Sequence, residues 1–185
     1  MSNSKYAEVR TIHTLGPTGT NLEAASRSWR EVNRLVDAEI RLHSTLEAAV
    51  DEMAMDGSAV LIACVVYPEL HTLVFKNLER LEIAECFVQP TYNMVVASRE
   101  DRPAKTIATH SAPQHLAPPE ATRVFVDSNS QAAIACATGE VDACVTTLPA
   151  AQRHGLHVVR DFGAVPMGFS VHMPRAAATS HPAMA

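Results

Sequence analysis

The sequence predicts an α/β protein of two lobes built on mainly parallel sheets. Apolar, strand-like runs alternate with amphipathic helical stretches along the chain. One run, Ala59–Tyr67, is apolar without a break, as a strand covered on both faces requires. The strand–helix rhythm is set up before Pro90 and starts again after residue 105. These observations predict one lobe from residues 1–89 and 161–175 and a second from 90–160, with 176–185 a loose tail. A ligand cleft between the lobes is expected, because ligands favour strand C-terminal ends and domain interfaces.

The elements follow in order. Val9–Leu15 reads as a first strand, stopped by Gly16-Pro17-Thr18-Gly19-Thr20. Asn21–Val36 then reads as an amphipathic helix with Leu22, Ala25, Trp29, Val32 and Val36 on its apolar side. A short strand near Glu39–Leu42 precedes Ser44-Thr45-Leu46-Glu47, a capping-box-like opening of a helix running to Asp56-Gly57. Beyond the strand at Ala59–Tyr67 the pattern is ambiguous to Arg80, admitting a helix or an ordered lid. Leu81–Val88 and Tyr92–Ala97 are strands flanking Gln89-Pro90, and 99–106 is a polar connector.

In the second half, Ile107–Thr109 is a short strand and Ser111–Leu116 opens a helix. Val124–Val126 is a strand, and Asp127–Ser130 caps a helix, Gln131–Thr138, that ends at Gly139. Asp142–Thr146 is a strand, Leu148–His154 a helix closed by Gly155, and Leu156–Val159 and Phe169–His172 are strands.

Bulk properties exclude several classes. The net charge of −5 and fifteen scattered lysines and arginines offer no basic stripe for nucleic acid. Arg27, Arg30, Arg34 and Arg41 recur along one stretch and read as a solvated face. No apolar run is long enough for a membrane span, and the N-terminus lacks a signal-peptide core, so a cytoplasmic protein is expected. Cys64, Cys86, Cys136 and Cys144 sit in apolar segments without a paired spacing and read as buried free thiols. His154 and His157 are close in sequence, but Gly155 between them argues for a loop. No metal and no cofactor is expected.

The most informative stretch is Thr14–Ala25, TLGPTGTNLEAA. A strand–turn–helix junction of this kind aims free backbone N–H groups and the positive helix end at one spot, which suits a carboxylate or phosphate. Thr20 or Asn21 can cap the helix, and Glu23 stands where a capping-box acid falls if Thr20 is the cap. A plain βα turn gives the same spacing.

The chain resembles the catalytic domain of prephenate dehydratases over about residues 9–173. Leu15–Thr20 with Glu23-Ala24-Ala25 matches that family's opening LGPxGT…E.AA motif. Leu81–Pro90 is similar to its strand leading to a proline, and Ser111–Gln114 to its S-H-P-Q segment. Ser128–Ala133, Asp142–Thr147, Ala150-Ala151 and His154–Leu156 follow the second lobe in order. The resemblance implies a two-lobed fold similar to type II periplasmic binding proteins.

Two departures qualify the resemblance. Where dehydratases carry Thr-Arg-Phe, whose threonine helps the ring hydroxyl leave, this chain has Met167-Gly168-Phe169. Met167 has no proton to donate and Gly168 cannot pair with a carboxylate. The family's ENSxEG loop is missing too, replaced by the shorter Tyr67-Pro68-Glu69-Leu70-His71. A smaller branch that also lacks Thr-Arg-Phe resembles the chain better: the prephenate decarboxylases of anticapsin- and bacilysin-type antibiotic pathways. These remove the ring carboxylate, keep the hydroxyl and protonate the ring without making it aromatic.

The resemblance therefore implies a cofactor-independent carboxy-lyase acting on a small dicarboxylate, with a homodimer as the assembly to test. A catalytically silent carboxylate-binding module and a dehydratase with a displaced acid are the competing readings. His71 is the expected proton donor, with Glu69 beside it and His110 the second choice. Thr18, Gly19, Thr20 and Asn21 are expected to hold one carboxylate, Asn21 standing where dehydratases usually have phenylalanine. Ser128, Asn129 and Ser130 are expected to hold the other. Tyr92, Ser111, Gln114, Thr146, Thr147, Met167 and Phe169 complete the expected ligand surface. Several of these side chains are equally suited to helix capping or local backbone bonding.

Overall fold

The computed structural model describes residues 4–100 and 103–175. The expected tail at 176–185 and residues 101–102 of the polar connector lie outside the described residues. By contact the described chain divides into two compact units. Among the described residues, one draws on 4–18, 22–89 and 167–175, the other on 19–21, 90–100 and 103–166.

In chain order the elements are β1 (Thr11–Leu15), α1 (Asn21–Val32), β2 (Glu39–His43), α2 (Leu46–Glu52), β3 (Ala59–Cys64), α3 (Leu70–Lys76) and β4 (Leu81–Pro90). The second unit adds β5 (Met94–Ser98), β6 (Thr106–Thr109), β7 (Thr122–Phe125), α4 (Asn129–Thr138), β8 (Ala143–Thr147), α5 (Leu148–Arg153) and β9 (His157–Asp161). The chain then returns to the first unit as β10 (Pro166–Pro174).

The first sheet has the order β2-β1-β3-β10-β4. Ala59–Ala63 of β3 are fully buried, as the unbroken apolar run predicts. On one face Ile12, Val60, Ile62 and Val171 pack under Leu22, Ala25 and Trp29 of α1. On the other, Leu61 and Ala63 pack under Leu46, Ala49 and Val50 of α2 and Leu73 of α3. The second sheet has the order β7-β6-β8-β5-β9, with β5 and β8 buried throughout.

Both sheets are mixed rather than mainly parallel. β1 pairs in parallel with β2 and β3, but β10 runs antiparallel to β3. β6 pairs in parallel with β7 and β8, but β5 is antiparallel to β8 and β9. The odd strands are those on which the chain passes directly between units, without the crossover helix that parallel pairing needs.

Local boundaries differ where side chains or tertiary contacts compete with periodicity. α1 stops at Val32, four residues short of the expected Val36. Asn33 Nδ2 donates to the Trp29 carbonyl at 2.9 Å and Arg34 turns left-handed at φ 58°, sending Leu35 and Ala38 into the core. Val36 is left 80% exposed. In α2 the cap is Thr45, whose hydroxyl accepts the Ala48 N–H at 3.1 Å, while Glu47 accepts from the Tyr67 hydroxyl at 2.9 Å. That helix closes at Glu52, and the Asp56-Gly57 stretch is instead a turn, Asp56 accepting the Ser58 N–H.

The ambiguous 67–80 region contains α3, and β4 runs unbroken through Gln89-Pro90. Ser111–Leu116 yields only a 3₁₀ turn at Gln114–Leu116, because Ala117, ahead of Pro118, is extended. Cys86 is exposed on β4, so the expectation of four buried thiols holds for Cys136 and Cys144 but not for it.

Two histidines lie fully inside the first unit, pairing with Leu61 from either side: His13 on β1 and His172 on β10. His13 Nδ1 is 3.0 Å from His43 Nε2, and Ser170 Oγ is 2.9 Å from His172 Nε2. Burial pushes both imidazoles down to about 4, aided at His13 by the neighbouring His43 and Arg41. A folded-state pKa below the unfolded one means that the unfolded chain binds more protons between the two. The stability these neutral rings contribute is thus complete above pH about 6.5 and is lost as pH falls toward 4. Urea-denaturation midpoints are expected to fall over that window, and to fall less steeply in His172→Gln. An unaltered slope in the variant contradicts the assignment.

Candidate active site

Parallel strands deliver their C-terminal ends to one edge of a sheet, and in the second unit β6, β7 and β8 do this. β6 leads into His110 and Ser111, β7 into Asp127 and Ser128, and β8 ends at Thr146 and Thr147. Ser128 is extended at φ −155°, and its hydroxyl accepts the Gln131 N–H at 3.0 Å, capping α4. Ala132, Ala133, Ala135 and Cys136 let α4 lie close against the sheet. The closeness is read directly at its first residue: Thr146 Oγ1 donates to the Asn129 carbonyl at 2.6 Å.

Two polar atoms of this cluster lack such a bond. Asn129 Oδ1 and Thr147 Oγ1 are buried and meet no hydrogen-bond partner among the described residues. Thr147 is only 2% exposed, and its hydroxyl does not cap α5 although it precedes that helix. Leaving such groups unmatched costs on the order of 1–3 kcal/mol each. The usual resolution is a polar partner from outside the fold, water or ligand.

His110 is half-buried beside this cluster. Burial holds its pKa below the ordinary value, with Asp127 acting in the opposite direction. Its Nδ1 accepts the Ala112 N–H at 3.3 Å, which assigns the proton of the neutral ring to Nε2. Ser111 is exposed, and Gln114 Nε2 donates to the Ser111 carbonyl at 2.9 Å.

The Gly16–Thr20 loop is tied at its start by the Gly16 N–H, which donates to the His43 carbonyl at 2.7 Å. Gly19 adopts φ +89°, and a Cβ there falls 3.1 Å from Arg153 Nη1. The backbone therefore favours glycine, and a side chain there would press on the Arg153 guanidinium. Asn21 Oδ1 accepts the Tyr92 N–H at 3.0 Å. Gly19, Thr20, Asn21, Tyr92 and Arg153 all fall within the second unit. The structure thus brings a guanidinium to the glycine loop, a feature the sequence reading missed. Its only signal was a cation in the last turn of α5, where helices often place one.

The remaining expected residues lie in the first unit. Glu69 and His71 are exposed at the start of α3, on a helix rather than a loop, with His71 Nε2 3.4 Å from Thr72 Oγ1. Thr18 is exposed. Phe169 is 1% exposed and stacked on Phe87 at 5.4 Å between ring centroids, and Met167 packs partly against the same cluster.

The architecture is shared with solved proteins. The prephenate dehydratase of Arthrobacter aurescens superposes with a TM-score of 0.65 at 19% identity, over 90% of this chain and 61% of that one. The Staphylococcus aureus prephenate dehydratase gives 0.64 at 13% identity, over 90% and 67%. The periplasmic VFT2 domain of Bordetella pertussis BvgS gives 0.55 at 17% identity, over 90% and 81%. At such identities the likeness shows the fold, that of prephenate dehydratases and Venus-flytrap binding domains.

By sequence the chain is 29% identical over 174 residues to a prephenate decarboxylase of Bacillus subtilis, covering 87% of this chain and 85% of that protein. The prephenate decarboxylase of Bacillus amyloliquefaciens is 28% identical over the same coverage. No family model matches the chain.

The unequal use of the two hydroxyls gives a contrast. Ser128→Ala removes a working cap and is expected to lower stability by about 1 kcal/mol. Thr147→Val, nearly isosteric, is expected to leave urea-unfolding stability unchanged or higher. A loss of about 1 kcal/mol or more in Thr147→Val identifies an internal partner for that hydroxyl.

Proposed function

We propose that this protein decarboxylates prephenate without aromatising it. The C–CO₂ bond breaks, its electrons enter the ring diene, a ring carbon takes a proton, and the hydroxyl stays. The product is a dihydro-hydroxyphenylpyruvate, and the reaction needs no cofactor. The observation that carries this reading is the Met167-Gly168 pair at the start of β10, a thioether and a bare backbone that supply no acid to expel a hydroxyl. The decarboxylases to which the chain is similar over most of its length support the same reading. We place the reaction in the cytoplasm, on a route to a non-aromatic amino acid of the anticapsin and bacilysin type, in a homodimer that light scattering checks.

In the second unit, the unmatched Thr147 hydroxyl donates to one substrate carboxylate together with the N-terminal amides of the ten-residue α4 at Ser128–Ser130, while the unmatched Asn129 Oδ1 accepts from a water or the substrate hydroxyl. Gly19, Thr20, Asn21 and Tyr92 serve the other, with Ser111, Gln114 and Thr146 supporting the surface. In the first unit His71 is the proton donor and Glu69 its neighbour, with Thr18, Met167 and Phe169 shaping the substrate's surroundings. His110 is the lesser donor, because its Nδ1 already accepts the Ala112 N–H and favours the neutral ring.

Purified protein mixed with prephenate is expected to release CO₂ and retain the hydroxyl. Phenylpyruvate as product points to a dehydratase, and binding without turnover to a silent binding module; either result overturns the proposal.

Loss of a general acid costs on the order of 10²-fold or more in rate. His71→Ala is therefore expected to lower kcat by about that factor while moving KM little, and unchanged kcat removes His71 from the mechanism. Thr20→Val is expected to raise KM several-fold, and an unaltered KM leaves Thr20 as a helix cap only.

A further inference from the structure

Cys136 and Cys144 are fully buried in the second unit, and the proposed reaction gives them no task. Cys136 lies in the last turn of α4 and Cys144 near the start of β8. Cys144 stands opposite Ala97 of β5, and the Cys136 Sγ comes within 4.0 Å of the Ala97 carbonyl. The same Sγ is 3.6 Å from the carbonyl of Asp142, two residues before Cys144. One sulfur is thus set over the other, and the two side chains hydrogen-bond to each other.

Their surroundings make the two thiols unequal. The hydrogen bond from Cys144 favours the Cys136 thiolate, and the Arg99 N–H and guanidinium add to it. Burial and Asp142 oppose them, yet the Cys136 pKa is held below the ordinary thiol value. Arg99 is close by: a Cβ built on Gly139, the left-handed cap of α4, falls 3.3 Å from its guanidinium. Cys144, bonded to its neighbour and buried, is pushed far upward and keeps its proton.

We propose that Cys136 and Cys144 are a redox-modification site, a dithiol that a hydroperoxide closes to a disulfide. The Cys136 sulfur takes one oxygen from hydrogen peroxide, and the other leaves as water. The Cys144 sulfur then attacks that sulfenic sulfur, so the S–S bond forms as the S–O bond breaks and a second water departs. Both thiol protons end in water, and two electrons pass from the sulfurs to the peroxide. Thr138, Gly139 and Glu140 are exposed, so only the end of α4 covers Cys136, and helix ends open locally. At its other end α4 is already tied to β8 by the Thr146 bond to Asn129. The disulfide therefore locks helix to strand at both ends, whatever the protein catalyses.

The sequence makes the bond readable. Between Arg123 and Arg153 there is no lysine or arginine, so trypsin leaves both cysteines in one peptide, with Glu140 between them. Folded protein is treated with hydrogen peroxide, its remaining thiols are blocked with N-ethylmaleimide in denaturant, and the chain is digested. That peptide is expected to be lighter by two hydrogens with neither cysteine blocked. Cleavage after Glu140 is expected to give two pieces that part only on reduction. Both cysteines found blocked while the exposed Cys86 is oxidised overturns the proposal. So does Cys136 taken to sulfinic acid with Cys144 still free, or a bond that forms only in denaturant.

Thermal unfolding reads the lock. The oxidised protein is expected to melt several degrees above the same sample reduced with dithiothreitol, because a closed loop constrains the unfolded chain. Peroxide-treated Cys144→Ala is expected to show no such difference. A wild-type disulfide that leaves Tm equal to or below the reduced value overturns the lock.

Discussion

The first unit depends on the antiparallel pairing of β3 with β10. β3 is buried on both faces, so its backbone needs a partner along each edge, and an apolar strand left open on one side also invites aggregation. β1 supplies one partner from nearby in sequence. The other is the chain's last described strand, which follows the whole second unit in sequence. Val171 and Phe169 of that strand complete the cluster beneath α1. The core beneath α1 is therefore incomplete without the returning segment, whereas the one beneath α2 and α3 is built from residues before Pro90.

The same pairing sets a column of facing residues. His172 meets Leu61, Ser170 meets Ala63, and Gly168 meets Val65 one step beyond the last paired residues. Moving outward along β10, the column passes from a buried imidazole to a buried hydroxyl to bare backbone. Neutral, paired polar groups are tolerated inside, while the outer position is kept without a side chain by a valine on the facing strand.

The second unit solves a different problem. Its helix α4 is rich in alanine and lies close to the sheet, bringing the Asn129 carbonyl within reach of Thr146. Successive strand residues point to opposite faces, so the adjacent hydroxyls of Thr146 and Thr147 face different surroundings. One anchors the helix start and the other stays buried without a partner. Stability is thus withheld at the end of β8, where a buried hydroxyl goes unmatched.

Much of this was legible in the chain because it is local. Thr45 and Ser128 announced helix starts, Gly139 and Gly155 announced helix ends, and the run at Ala59–Tyr67 announced a strand covered on both faces. These features depend on residues within a few positions of each other, so propensity and capping chemistry decide them. The departures have tertiary causes. β4 runs through Gln89-Pro90 because it forms the edge of a sheet whose neighbouring strand is β10, and two mixed sheets arise because the chain passes between units on β4, β5, β9 and β10. Likewise, the sequence showed the hydroxyls and amides of these loops but not Arg153 against Gly19, nor Val65 over Gly168. Those contacts join residues more than a hundred positions apart, and only the folded backbone brings them within a few ångströms.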